Sequence, residues 1–134
     1  MPFPSITAAY TAVLVLFYAA LGLQVVHLRR GNQASFGDGG NADLRNAIRA
    51  HAHFAEYVPI IALMVAMLES SGLPAMRVHL LMGTLLAARL LHSFGMSAGP
   101  ETLRFRICRV GGMTITTCVM IACALLIQWR SAKA

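Results

Sequence analysis

The stretch ITAAYTAVLVLFYAALGLQVV, from Ile6 to Val26, is 21 residues long and contains no charged side chain. A helix of this length rises about 30 Å, which is the thickness of the hydrocarbon core of a bilayer. No basic residue precedes the stretch, and its apolar run is longer than the hydrophobic region of a secretory signal peptide. We therefore predict that it is a membrane-spanning helix.

Three more apolar stretches of matched length follow, over residues 47–68, 74–94 and 107–129. The segments between them are short and rich in turn-forming residues. Short connections between successive spans favour antiparallel neighbours. The sequence thus predicts an all-α integral membrane protein, in which one domain over residues 1–134 forms a four-helix antiparallel bundle in the lipid bilayer.

The composition agrees with a membrane protein. Hydrophobic residues make up 57% of the chain and charged residues 12%, roughly half the charged fraction of a soluble domain. Such high hydrophobicity also excludes an intrinsically disordered chain.

Basic residues outnumber acidic ones by 11 to 5, and most lie beside the connections after the first and third spans. The positive-inside rule then predicts that both chain termini lie outside the cytoplasm. Because no nucleic-acid reader motif accompanies these residues, we expect no nucleic-acid partner. The residues concerned are Arg29, Arg30, Arg45, Arg49, Arg104, Arg106 and Arg109.

Metal binding is not expected from the cysteines or the paired histidines. Cys108, Cys118 and Cys123 all fall in the fourth span, and their spacing matches no thiolate metal site. His51 and His53 are two residues apart, so on a helix they diverge by about 200° and cannot close on one ion.

An acid in the second span is the least expected residue of the sequence. Glu56 lies near the middle of that span, where insertion scales assign a charged group about 2.5–3.5 kcal/mol. Arg45, Arg49 and His53 precede it at helical spacings of 4, 4 and 3, so all four share one face. Glu56 must be neutralised, paired, or turned toward a polar cleft.

The other spans bring polar groups to the same side of the membrane. Arg89 and His92 lie near the end of the third span, and Arg109 lies near the start of the fourth. Convergent arginines fit a ligand with two carboxylates, and a carboxylate among them would bind an amine or hold an arginine in place. A cationic site beside a thiol would stabilise the reactive thiolate.

Several motifs resemble the MAPEG superfamily, the membrane-associated proteins in eicosanoid and glutathione metabolism. RAHAHFAEYVP, residues 49–59, resembles the second-helix signature, which is the most specific part of a resemblance that covers nearly all of the chain. QVVHLRR (24–30) and RLLH (89–92) resemble the family's first and third helices. RVGGMT (109–114) and GDGGN (37–41) are similar to its small bacterial branch.

The resemblance implies a homotrimer of four-helix subunits, with glutathione as co-substrate in a polar cleft between subunits. Arg30 and Arg49 would meet the carboxylates of glutathione and Glu56 its amine. Arg109 would stabilise the thiolate, with Arg106 or Arg104 as alternates because the preceding loop varies in length within the family. The glutathione-binding residues implied in this way are Arg30, Arg49, His51, His53, Glu56, Tyr57, Arg89 and His92.

The expected function is that of a glutathione-dependent transferase or peroxidase of the bacterial inner membrane, acting on a lipophilic electrophile or lipid peroxide that enters from the bilayer. One alternative is a non-catalytic binding or regulatory module that uses the same cleft for a lipid or small anion. Another is a small multidrug exporter. The exporter is disfavoured because the first span contains no acid and because the arginines around Glu56 would repel a cationic substrate.

Overall fold

The computed structural model describes residues 2–97 and 101–133, and within them all regular secondary structure is helical. Each of the four helices is long and apolar enough to cross a membrane, which confirms the predicted all-helical architecture with four spans. The helices are α1 (Ser5–Gly31), α2 (Ala42–Ser70), α3 (Ala75–Met96) and α4 (Leu103–Ser131).

Most of the helices extend beyond the apolar stretches, and polar caps set two of their starts. The Asn41 side chain accepts a hydrogen bond from the Leu44 backbone N–H at 2.9 Å, so α2 begins five residues before its apolar stretch. Thr102 caps α4 in the same way by accepting from the Phe105 N–H at 3.2 Å. Hydropathy therefore predicts the apolar part of each helix, whereas side-chain capping determines where α2 and α4 begin.

The central pair of the bundle is α2 and α3. Each of them packs against all three other helices, and among the described residues α1 and α4 do not approach one another. The core is apolar and includes the fully buried Leu14, Ile61 and Met82. Large apolar side chains such as Leu16 and Leu125 lie exposed on the outside, as expected for a bundle surrounded by lipid.

Helices α3 and α4 touch backbone to backbone at two glycines. A Cβ on Gly112 would lie 2.7 Å from the carbonyl oxygen of Ala88, and one on Gly95 would lie 2.6 Å from the backbone nitrogen of Arg109. Small residues permit this close approach, a common way for helices to associate without a hydrophobic driving force. The contact sets His92 of α3 directly against the first turns of α4.

The start of α1 is stabilised by an acid from another helix. Glu69, near the end of α2, accepts hydrogen bonds from the Ile6 N–H at 2.9 Å, the Thr7 N–H at 2.8 Å and the Thr7 hydroxyl at 2.6 Å. No side chain of α1 caps this end, and its first turn holds no acid. The carboxylate satisfies orphan N–H groups and complements the positive end of the helix dipole.

An ion pair orders the loop between α1 and α2. Arg45 Nε donates to Asp38 Oδ2 at 2.5 Å, and the Gly40 N–H donates to Asp38 Oδ1 at 3.0 Å. The hydrogen bond from Arg45, followed by that from Gly40, holds the pKa of the Asp38 carboxyl below its ordinary value. Arg29 closes the same loop from α1 by donating to the carbonyl of Gly37 at 3.0 Å.

Candidate functional site

The polar face of α2 lines an open hollow of about 510 Å³ on the outside of the bundle. We call this the polar hollow. All four residues that helical spacing placed on one face line it, so the predicted stripe is confirmed. The lining residues are Gly37, Asp38, Arg45, Ile48, Arg49, Ala52, His53 and Glu56.

Charge in the polar hollow is only partly compensated by the described residues of the chain. The one ion pair among residues 2–97 and 101–133 is Arg45–Asp38, which leaves Arg49 and Glu56 exposed and without an ion-pair partner there. A carboxylate at this depth facing hydrocarbon would be costly. Glu56 instead lines the polar hollow, which agrees with the expectation that it turns toward a polar cleft.

A histidine pair runs inward from the polar hollow. His53 Nδ1 lies 3.4 Å from His92 Nε2, and His92 Nδ1 lies 3.1 Å from the carbonyl oxygen of Arg109. A carbonyl only accepts, so His92 Nδ1 is the donor, and in neutral His92 the Nε2 atom is then an acceptor for an N–H of His53. This hydrogen-bonded series joins α2, α3 and α4, and its central residue is completely buried.

Behind the histidines lies a buried cation. Arg89 is 0% exposed, and none of its three side-chain nitrogens has a hydrogen-bond partner among the described residues. Its guanidinium carbon lies 5.6 Å from the centroid of the Phe54 ring, which gives some cation–π stabilisation. A buried charge without a full set of partners costs roughly several kcal/mol. Among the described residues, Arg89 is therefore the group that an anionic ligand would stabilise most.

Five residues of the set implied by the resemblance do not line the polar hollow: the buried Arg89 and His92, and three that lie further from it. His51 faces α1 and stacks on Tyr18, with ring centroids 4.4 Å apart, as expected from its two-residue offset from His53. Tyr57 packs against the apolar core. Arg30 lies at the end of α1 and lines a separate shallow surface hollow with Arg29.

The three arginines in the first turns of α4 lie at the same end of the bundle as the polar hollow but do not line it. The Arg109 guanidinium lies 5.1 Å from the centroid of the Phe105 ring. Arg104 lies 4.5 Å from the centroid of Phe94, and Arg106 is exposed. Any ligand held jointly by Arg49 and Arg109 must therefore reach beyond the polar hollow.

Sequence reasoning missed two residues of this region. Asp38 engages Arg45 and so leaves Arg49 as the uncompensated arginine of the hollow. Phe54 provides the aromatic face under Arg89. Helical phase does place Phe54 away from the polar stripe, but nothing in the sequence indicates that Arg89 of another helix packs on it.

Comparison with known proteins finds similarity along a part of the chain that includes residues of all four helices. The family model of the MAPEG family matches residues 7–126. The chain is 32% identical over 124 residues to the inner membrane protein YecN of Escherichia coli strain K12, an alignment covering 92% of this chain and 91% of that protein. Identity and coverage are the same for YecN of Escherichia coli O6:H1.

Proposed function

Because this chain belongs to the MAPEG family, we propose that it is a glutathione-dependent transferase or peroxidase of the bacterial inner membrane. The observation that carries the proposal is the polar hollow, which uncompensated Arg49 and Glu56 both line, about two turns apart on one face of a helix otherwise apolar enough to span lipid. The inner-membrane assignment rests on YecN, which is described as an inner membrane protein.

Glutathione has two carboxylates, an ammonium group and a thiol, and the hollow offers a free cation for one carboxylate and an anion for the ammonium group. Arg49 would bind a carboxylate, since Arg45 is already engaged by Asp38. Glu56, about two helical turns from Arg49 on the same face of α2, would bind the ammonium group. Arg89 and the histidine pair lie behind this face and would supply further donors if the ligand or a side-chain movement reaches them.

We propose that the site is completed by a second subunit of a homotrimer, as the family resemblance implies. The polar hollow opens to the outside of the bundle, and Arg109 lies away from it. A groove along α1 and α2, lined by small residues including Ala8, Ala12 and Ala62, offers a surface for close helix packing between subunits. Arg109 of one subunit would then face the polar hollow of its neighbour.

In the proposed reaction Arg109 holds glutathione as its thiolate. Lowering a thiol pKa from about 8.5 to about 6.5 makes the thiolate dominant at neutral pH. The thiolate sulfur attacks an electrophilic carbon of the lipophilic substrate, so a carbon–sulfur bond forms and the leaving group departs with the bonding electrons. With a lipid hydroperoxide the sulfur attacks the terminal peroxide oxygen instead, so an S–O bond forms as the O–O bond breaks, and the alkoxide leaves and takes up a proton. The thiol of a second glutathione then attacks the sulfenic acid sulfur, which forms the disulfide and releases water.

The decisive experiment measures turnover of glutathione with a model electrophile in detergent. Arg109→Leu is expected to lower turnover about 25-fold at pH 7, the loss of thiolate that follows from returning the thiol pKa from about 6.5 to about 8.5. Arg77→Leu, at the opposite end of the bundle, is the matched control and is expected to keep full activity. If Arg109, Arg106 and Arg104 can each be replaced by Leu without loss, the proposed chemistry is wrong.

One observation favours a non-catalytic binding module as a second candidate. The Arg109 guanidinium packs on Phe105, so within one subunit no cation of α4 lines the polar hollow. Such a module would hold a small anion or lipid in the same place without activating a thiol. Calorimetry with glutathione separates the two, because absence of binding at millimolar concentration favours the module.

A further inference from the structure

The end of the bundle opposite the polar hollow carries a second, larger hollow of about 770 Å³ between the last turns of α2 and α4. We call this the terminal hollow. Its walls include the apolar side chains of Met67, Leu68 and Ile127, while Arg130, Lys133 and Trp129 also line it. It therefore combines apolar walls with two cations.

Both cations are held in place by neighbouring groups. Arg130 donates to the carbonyl of Ser71 at 2.5 Å, which fixes its guanidinium across the turn between α2 and α3. The Lys133 ammonium lies 4.1 Å from the centroid of the Trp129 ring. Ordered charges of this kind lose less side-chain entropy on binding than free surface lysines and arginines do.

The positive charge of the terminal hollow is not compensated by an acid. Within residues 2–97 and 101–133, neither Arg130 nor Lys133 forms an ion pair with a side-chain carboxylate. Glu69 is the acid of α2 at this end, and both of its carboxylate oxygens are engaged by the start of α1. The hollow thus keeps a net positive charge of about two from these side chains, despite the carbonyl ends of two helices beside it.

The position of the terminal hollow along the helices indicates which molecules surround it. The terminal hollow lies at the ends of two membrane-spanning helices, where headgroups meet hydrocarbon, and tryptophan is enriched at that level. Basic pockets between membrane helices are known to bind the head groups of anionic lipids on the cytoplasmic side, and two cations beside apolar walls offer the same contacts at this end of the bundle. A soluble anion would make no contact with the apolar walls. A zwitterionic lipid would bring its ammonium group close to two cations, which is electrostatically unfavourable.

We propose that the terminal hollow binds an anionic phospholipid, with the phosphate between Arg130 and Lys133 and an acyl chain along Met67 and Ile127. The site is separate from the polar hollow and does not depend on the function proposed above. Removal of one of the two cations is expected to weaken the preference for anionic lipid about fivefold.

Trp129 provides a direct test, because it is the single tryptophan of the chain and lines the terminal hollow. The full-length protein is reconstituted in vesicles that contain either phosphatidylglycerol or phosphatidylcholine with the same brominated acyl chains, which quench tryptophan fluorescence on contact. We expect stronger quenching by brominated phosphatidylglycerol at equal mole fraction, corresponding to a relative affinity of at least about fivefold.

Two variants and one control test whether the preference for anionic lipid depends on the terminal hollow. Lys133→Gln is expected to reduce the relative affinity about fivefold, and the double replacement Arg130→Gln with Lys133→Gln is expected to abolish the preference. Arg77→Gln removes an exposed charge of α3 at the same end but does not line the hollow, so it should leave the preference unchanged. Should the double variant fail to fold, Lys133→Gln alone decides.

Several outcomes would overturn the proposal. Equal quenching by both lipids in the wild-type protein means that no anionic lipid is selected. An equal loss in Arg77→Gln means that the lipid responds to general surface charge rather than to a site. Loss of the preference in millimolar inorganic phosphate means that the ligand is a soluble anion. Weak quenching by both lipids means that protein covers the hollow.

Discussion

His92 Nδ1 donates a hydrogen bond to the backbone carbonyl of Arg109 at 3.1 Å, across the closest contact between α3 and α4. The histidine is thereby fixed in one tautomer, and the arginine proposed to hold the thiolate is fixed to α3 through its main chain. The contact exists because Gly112 lets the backbone of α4 approach His92 directly.

Replacement of His92 separates its two hydrogen bonds. In His92→Asn the amide nitrogen can replace Nδ1 as donor to Arg109, whereas His92→Leu removes the donor and leaves His53 without its partner. We expect His92→Leu to lower the free energy of unfolding by about 1–3 kcal/mol and His92→Asn by less. Equilibrium unfolding in detergent measures the difference, and equal stability of both variants would contradict a role for the bond to Arg109.

The two adjacent glycines of α4 form a matched pair for the packing argument. A Cβ on Gly112 would lie 2.7 Å from a backbone oxygen, whereas one on Gly111 would meet its nearest heavy atom, of Leu91, at 4.0 Å. Gly112→Ala should destabilise the bundle by about 1–3 kcal/mol through overpacking. Gly111→Ala should be neutral or stabilising by up to about 1 kcal/mol, because alanine is the better helix former. Thermal unfolding of the two variants side by side tests the contact.

Glu69 should contribute more to the stability of the folded protein than its position near the end of α2 suggests. Glu69→Ala removes the acceptor for three donors of Ile6 and Thr7 and is expected to cost about 1–3 kcal/mol of stability. Hydrogen exchange should show the loss first as faster exchange of the Ile6 and Thr7 amides. Glu101→Ala, which replaces an exposed acid, is the control, and equal effects of the two variants would rule out this capping interaction.

Arg89 should oppose stability and favour ligand binding. Because its buried guanidinium has no hydrogen-bond partner in the described chain, Arg89→Met is expected to leave stability unchanged or to raise it by about 1–4 kcal/mol. The same variant should bind glutathione at least about tenfold more weakly, the loss expected for one charge-assisted contact. Leu90→Met is the control on the adjacent exposed position. A marked loss of stability in Arg89→Met would instead assign Arg89 a structural role.

The ion pair between Asp38 and Arg45 predicts a pH dependence of the loop. Since the folded state holds the pKa of Asp38 below its ordinary value of 3.8, the pair stabilises the folded loop fully above that value. The stabilisation is lost as the pH falls through the folded pKa. Exchange of the Gly40 amide should therefore differ between wild type and Asp38→Asn near neutral pH, and the difference should vanish in strong acid. A difference that persists there would exclude the ion pair as its cause.

Much of this architecture follows from local patterns along the chain. The four spans follow from hydropathy and length, and the face shared by Arg45, Arg49, His53 and Glu56 follows from the period of one helix. The turn of His51 away from that face follows from the same period. Each of these properties depends on one helix and its solvent, so neighbouring elements are not needed to predict it.

Contacts between helices could not be predicted in this way. The pairing of His53 with His92, the burial of Arg89 on Phe54 and the capping of α1 by Glu69 all join residues of different helices. They depend on how each helix is rotated and how closely its backbone approaches the next. Apart from the polar stripe of α2, hydropathy varies little around these helices and carries little information on their rotation.

The sequence by itself determined a four-span membrane protein with one polar helix face, because helix period and bilayer thickness impose those features residue by residue. The tertiary structure alone decided which polar groups meet and which stay uncompensated. The physical reason is the close packing of α3 and α4 at Gly95 and Gly112, because it brings α4 against His92. Arg49 and Glu56 are left on the outside of the bundle, without an ion-pair partner among the described residues.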